Sequence, residues 1–250
     1  MKIAGILFDK DGTLIDFYKV WQTATEPVIE RIFQTYKIEN LKRNKEVILK
    51  KLGIEDGKIN PNGALAWKTY PMIAEDLSPV LQQMVKDTEI CTKEFAEQLS
   101  RFYEEETNKN CNQEATFTDL SKLMDTLAEK KISIGIVTTD TYKATIKCLK
   151  NLGILQYFSF FSMDQMPIPM PIKPDGKIIK RASEYWEIKP EEILVVGDTP
   201  NDMQFAHNGG AVAVGVLSGT GGEQDLLSAA NYLIQSVGAL PRLIKELESC

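Results

Sequence analysis

Residues 3–14 read Ile3-Ala4-Gly5-Ile6-Leu7-Phe8-Asp9-Lys10-Asp11-Gly12-Thr13-Leu14. Ile3 to Phe8 is a short apolar run closed by a turn signal, the pattern of a strand buried on both faces. Asp9 and Asp11 share the turn that follows, and Gly12 lets the backbone approach a ligand closely.

From about Phe17 to Asn110 the pattern is helical. Val20, Ala24, Val28, Ile32 and Phe33 fall on one face and Phe95, Leu99, Phe102 and Tyr103 on another, and no convincing strand interrupts them. After Thr118 strands and helices alternate. Helices are expected near 119–131, 142–152 and 177–186 and from Asn201, strands at 132–138, 193–196 and 211–216, and a final strand and helix from Tyr232 onward. Residues 163–174 read as irregular, with Pro167, Pro169, Pro171 and Pro174 making a stiff loop. Such alternation implies βαβ units and a parallel sheet covered on both faces. The expected fold is α/β, a doubly wound, Rossmann-like parallel sheet interrupted after its first strand by an all-helical domain. Residues 1–15 and 116–250 would form the core and 16–115 the insertion.

Ligands of such sheets bind beyond the carboxyl ends of the strands. Asp9, Thr138, Lys173 and the Gly197-Asp198 pair all fall where that rule would place a site. Clustered carboxylates need a compensating cation, and hard oxygen donors such as Asp9, Asp11, Asp198 and Asp202 favour Mg²⁺. The Lys173 ammonium and the Thr138 hydroxyl are suited to hold phosphate oxygens.

Composition narrows the partners. The chain has 250 residues, 29 basic and 35 acidic, for a net charge of -6. That balance leaves no electrostatic footprint for nucleic acid or an anionic membrane. No apolar run approaches the roughly 20 residues that span a bilayer, and the first residues lack a secretory signal. A cytoplasmic protein is therefore expected, and the Lys173 and Thr138 groups suited to phosphate oxygens make a small-molecule phosphate ester its candidate partner; nothing in the sequence fixes the oligomeric state. Cys91, Cys111, Cys148 and Cys250 lack paired spacing and His207 is the only histidine, so neither a zinc cage nor a disulfide framework is expected and the thiols read as reduced.

Four motifs in order resemble the haloacid dehalogenase superfamily: Asp9-Lys10-Asp11-Gly12-Thr13-Leu14, Ile136-Val137-Thr138, Lys173-Pro174 and Gly197-Asp198-Thr199-Pro200-Asn201-Asp202. The resemblance covers residues 1–15 and about 116–250, and the insertion resembles the family's helical cap in position and helical character. It implies that Asp9 is the nucleophile forming an aspartyl-phosphate and that Asp11 is the acid for the leaving alcohol and then the base for water. It further implies that Mg²⁺ is held by Asp9, the Asp11 backbone carbonyl and Asp198 with Asp202 nearby, while Lys173 and Thr138 stabilise the phosphoryl oxygens.

Asp11 separates the phosphatases from the dehalogenases, which lack it because halide needs no acid. A Mg-dependent phosphatase of the phosphoglycolate phosphatase-like kind is the first reading, and a sugar phosphomutase resembling β-phosphoglucomutase the second. Mutases usually carry Glu-Asp where this chain has Gly197-Asp198. A non-enzymatic receiver-like module is the third, set back by Asp11 and the long insertion. The chain departs from the phosphoglycolate-phosphatase pattern at Asp16-Phe17 and at Thr138-Thr139-Asp140, where Thr-Asn-Lys is common.

Some residues carry plainer expectations. Asp16 reads as a helix cap, His207 as a surface residue, and Gly219, Gly221 and Gly222 as a flexible turn. The break at Gly57 to Lys68 is a candidate recognition loop.

Overall fold

The computed structural model describes residues 1–86 and 88–249. The chain divides into two compact units, one of Met1–Tyr18 with Cys111–Cys250 and one of Lys19–Asn110. The first strand, β1 (Gly5–Phe8), is buried at every residue. Beyond it, Asp16 Oδ1 accepts a hydrogen bond from the Tyr18 backbone N–H at 2.9 Å, at the start of a π-helical turn, Tyr18–Gln22, that runs directly into the first long helix.

The second unit contains α1 (Thr23–Tyr36), α2 (Leu41–Leu52), the strands β2 (Ile54–Glu55) and β3 (Lys58–Ile59), α3 (Ala64–Trp67), α4 (Tyr70–Met84) and α5 (Thr92–Asn110). The apolar stripes meet as their spacing requires: Val28, Ile29, Ile32 and Phe33 of α1 are buried, as are Phe95, Leu99, Phe102 and Tyr103 of α5. Trp21 and Tyr70 lie against the Tyr103 ring, with centroids 5.3 and 5.8 Å away. The hairpin corrects the expectation that no strand occurs here. Ile54 pairs with Ile59 across Asp56-Gly57, whose φ values of 50° and 72° suit the tight turn that Asp-Gly favours. With two residues in each strand, no alternation is long enough to register in the sequence.

In the first unit the chain resumes with α6 (Leu120–Glu129), β4 (Ser133–Thr141), α7 (Tyr142–Asn151), β5 (Phe160–Asp164), α8 (Lys177–Trp186) and β6 (Ile193–Gly197). It ends with α9 (Pro200–Gly209), β7 (Val212–Val216), α10 (Glu223–Leu226), β8 (Tyr232–Ile234) and α11 (Leu240–Glu248). The strands form one sheet in the order β5-β4-β1-β6-β7-β8, parallel at each pairing. Leu7, Val195 and Ala213 from the sheet pack with Ile178, Ile179, Met203 and Phe205 from α8 and α9.

Strand β5 corrects the expectation of an irregular segment from Met163 and of no strand just before it. It lies at the sheet edge, and its Ser162 and half-exposed Phe161 break the apolar signal. Strand β4 continues past Thr138 to Thr141, with its register against β5 shifting between Val137 and Thr141.

Registration places the site. Phe8 pairs with both Ile136 and Val196. Asp9, Thr138 and Asp198 therefore follow one rung by one or two residues, at the crevice where the chain runs outward from β1 to either side.

Reduced thiols were expected, but Cys111 and Cys148 are disulfide-bonded, their Cα atoms 5.6 Å apart across 37 residues of sequence. Sequence spacing cannot reveal such a pair, because folding brings α7 beside the segment that follows α5. Cys91 is a free, exposed thiol, and Cys250 lies outside the described residues. No helix among the described residues is long and apolar enough to cross a membrane.

Candidate active site

The turn after β1 is fixed by its own backbone. The Lys10 carbonyl accepts from the N–H groups of Leu14 and Ile15, and Gly12 N–H donates to Ile15 at 2.7 Å. Gly12 has φ of +86°, and a Cβ there would collide with the Asp198 carboxylate. A small residue with left-handed freedom is needed for β1 and β6 to present their carboxylates side by side.

Asp9, Asp198 and Asp202 are buried and each offers a carboxylate oxygen within 4.8 Å of the others. Lys173 enters this cluster from the loop before α8. Its Nζ lies 2.5 Å from Asp9 Oδ1 and 2.6 Å from Asp202 Oδ1. Asp202 also caps α9: Thr199 donates to Asp202 Oδ2 from its backbone N–H at 3.0 Å and from its hydroxyl at 2.6 Å. The same carboxylate thus starts a helix and anchors Lys173, so the helix-capping and site readings of Asp202 describe one geometry.

Asp198 is held from another direction. Its Oδ2 accepts from the Thr220 backbone N–H at 2.7 Å and the Thr220 hydroxyl at 3.0 Å, and Thr13 Oγ1 lies 3.4 Å from Oδ1. Gly221 N–H donates to the Asp198 carbonyl and the Ser218 hydroxyl to the Gly12 carbonyl, both at 3.1 Å. The segment 218–222, expected to be a flexible turn, is instead a bracket around Asp198. The rule that sites lie beyond strand ends, applied to β7 as well as to β1 and β6, would have pointed to Thr220.

Thr138 sits in the shifted stretch of β4, buried, where its hydroxyl accepts from Asp140 N–H at 3.2 Å. Bulged strands next to sites re-aim side chains in this way. Asp11 is held by a residue the sequence reading passed over. Lys10 Nζ lies 2.9 Å from each Asp11 oxygen and 2.9 Å from Asp140 Oδ2. In the sequence Asp140 stands out only as a departure within the second motif and Lys10 only as the residue between two aspartates; folding brings the two side chains together.

Burial pushes the Asp9 carboxyl well above the ordinary range; Lys173 opposes this, and Asp202, Asp198 and Asp11 add repulsion. Burial, with Asp202 beside it, pushes Asp198 up to about 7 against the Thr220 hydrogen bonds. Burial works against a charged Lys173, but Asp202 and Asp9 overcome it and hold the ammonium protonated. Three buried carboxylates thus face one lysine. Hard oxygen donors carrying uncompensated negative charge suit a small divalent cation, so these residues fit Mg²⁺.

Comparison with known proteins agrees with this geometry. The family model of haloacid dehalogenase-like hydrolases matches residues 6–216. A Clostridium perfringens protein named as the pyrophosphatase PpaX is 36% identical over 100 residues, covering 40% of this chain and 46% of its own length. The phosphoglycolate phosphatase of Shigella boydii is 26% identical over 242 residues, covering 95% of this chain and 91% of that protein. Among solved structures, the β-phosphoglucomutase of Clostridium difficile shares the fold with a TM-score of 0.65 at 17% identity, over 99% of this chain and all of that one. With a family match across most of its length and the site at the sheet's carboxyl edge, the chain belongs to the haloacid dehalogenase-like hydrolases.

Proposed function

We propose that this hydrolase is a Mg²⁺-dependent phosphatase that cleaves a small soluble phosphate monoester through an aspartyl-phosphate on Asp9. The observation that carries the reading is the convergence of Asp9, Asp198, Asp202 and Lys173 in one buried cluster. Asp11 lies two residues from the nucleophile and is gripped by its own lysine. The phosphatase names of relatives that align over most of the chain support the same class.

In this reading the Asp9 carboxylate attacks phosphorus as the bond to the leaving oxygen breaks, and Asp11 gives that oxygen its proton. Asp11, now a carboxylate, takes a proton from water. The water oxygen attacks phosphorus, the bond to Asp9 breaks, and phosphate leaves. Lys173 and Thr138 hold the phosphoryl oxygens during both transfers. Asp9, the Asp11 backbone carbonyl and Asp198 would hold Mg²⁺, with Asp202 steadying the set through Lys173. The cation, when bound, neutralises charge on the phosphoryl oxygens and keeps Asp9 ionised despite its burial.

The inserted unit serves in this reading as a cap that governs which ester is accepted. Replacing residues 57–68 with a neutral linker would then reorder kcat/KM among esters, and an unchanged ranking in a folded variant would reject the role.

The direct experiment is phosphate release from a panel of small esters and inorganic pyrophosphate, with Mg²⁺ and with chelator, comparing the native chain with Asp9→Asn. Turnover that requires metal and vanishes in the variant supports the reading. A folded, metal-supplied native chain that releases nothing would refute it. Isomerised sugar phosphate without net release would move the chain to the mutases.

A further inference from the structure

Asp11 must do two proton transfers in that reading, so its side chain must stay in place while its charge changes. The backbone of residues 10–15 is locked by the hydrogen bonds already described, which leaves the Asp11 side-chain torsions as its freedom. Lys10 limits them. A lysine ammonium has three donors, and three carboxylate oxygens lie 2.9 Å from Lys10 Nζ, two on Asp11 and one on Asp140. The side chains of Lys10 and Asp140 are each 3% exposed, so water does little to loosen this contact.

Asp140 is itself fixed. Its Oδ1 accepts from Thr141 N–H at 2.7 Å, and its own N–H donates to Thr138 Oγ1 at 3.2 Å. Thr141 in turn caps α7, accepting from Ala144 N–H at 3.3 Å. A rigid strand-to-helix corner therefore holds Asp140, Asp140 holds the otherwise flexible Lys10 ammonium, and Lys10 holds Asp11.

Resting on the phosphatase reading, we propose that Lys10 and Asp140 are positioning residues that fix the Asp11 carboxyl group for its two proton transfers, linking β4 to the acid-base residue after β1. Neither residue touches the phosphoryl group in this role.

The leaving group provides the test. Expulsion of an alkoxide needs a well-placed acid, whereas p-nitrophenolate leaves with little help, and general acid catalysis is worth about 10²- to 10⁴-fold. kcat/KM reports transfer to Asp9, and kcat includes hydrolysis of the intermediate, where Asp11 acts as base. We would measure glycerol phosphate and p-nitrophenyl phosphate with Mg²⁺ for the native chain, Asp140→Asn, Lys10→Met and, as the reference for a lost acid, Asp11→Asn.

Asp140→Asn keeps the shape of the corner and should lower the alkyl-to-aryl ratio of kcat/KM by about tenfold or more. It should also produce a burst of p-nitrophenol as the intermediate accumulates. Lys10→Met should shift the ratio in the same direction; if that variant fails to fold, Asp140→Asn decides. An active native chain with a folded Asp140→Asn whose ratio is unchanged and which shows no burst would overturn the positioning role alone. A native chain inactive on both esters would overturn the phosphatase reading and this role with it.

Discussion

Gly219→Ala tests how strictly the bracket after β7 places Asp198. A Cβ built at Gly219 would lie 2.5 Å from Asp198 Cβ and closer still to its carboxylate. Carbon atoms pack at about 3.5 Å, so either the loop or Asp198 must give way by about 1 Å. Asp198 cannot yield freely, because Thr220 in the same loop holds its Oδ2 by two hydrogen bonds. A displacement near 1 Å at a reacting centre costs on the order of 10²-fold in rate, and overpacking costs about 1–3 kcal/mol of stability. Gly222→Ala is the matched control, since its Cβ would meet Asp225 Oδ2 at an ordinary 3.4 Å and nothing closer. The assay is kcat/KM as a function of Mg²⁺, with metal affinity measured by calorimetry and folding by thermal melts. Gly219→Ala should lose about 10²-fold in kcat/KM and bind Mg²⁺ more weakly, while Gly222→Ala should stay within about twofold of native. A folded Gly219→Ala with native metal affinity and native kcat/KM would refute the argument that this loop places Asp198.

The remaining expectations concern charge and covalent constraint. Lys173→Met leaves Asp9 and Asp202 without their shared ammonium; kcat should fall by about 10²- to 10³-fold, and metal-free stability by about 3–5 kcal/mol near neutral pH, as read by urea unfolding. Asp198 titrates near 7 in the folded chain and near 4 when unfolded. Between those values the folded state holds the extra proton, so this group's contribution to stability falls as pH rises through that window. Chelated protein should therefore lose melting temperature from this site between about pH 4 and pH 7, with Mg²⁺ giving its larger gain at the higher pH. Asp198→Asn should flatten the trend, and a trend unchanged in that variant would assign it to other groups. Reduction of Cys111–Cys148, which closes a loop spanning 37 positions, should lower unfolding free energy by about 2–4 kcal/mol, measured by denaturant melts with and without reductant.

The sequence by itself determined the α/β class, the parallel sheet and the strands that lead into Asp9 and Asp198 and carry Thr138. These follow from local periodicity and turn chemistry, which depend on neighbours a few residues away. The same locality explains what was missed. Edge strand β5 lacks the unbroken apolar run of an interior strand, and the Ile54–Ile59 hairpin is shorter than any repeat it could display. Cys111 and Cys148, judged by spacing alone, gave no sign that α7 would bring them together.

At the site the division is sharper. Family resemblance could bring Asp9, Asp11, Thr138, Lys173, Asp198 and Asp202 forward as single letters. Only the tertiary structure decided which of them share a partner: Lys173 between Asp9 and Asp202, Thr220 on Asp198, and Lys10 between Asp11 and Asp140. The physical reason is that a buried charge is defined by what lies within a few ångströms of it. Here those neighbours come from the ends of β1, β4, β6 and β7, from the first turn of α9 and from the loop before α8, separated by up to about 200 positions in the chain and brought together by the register of one sheet.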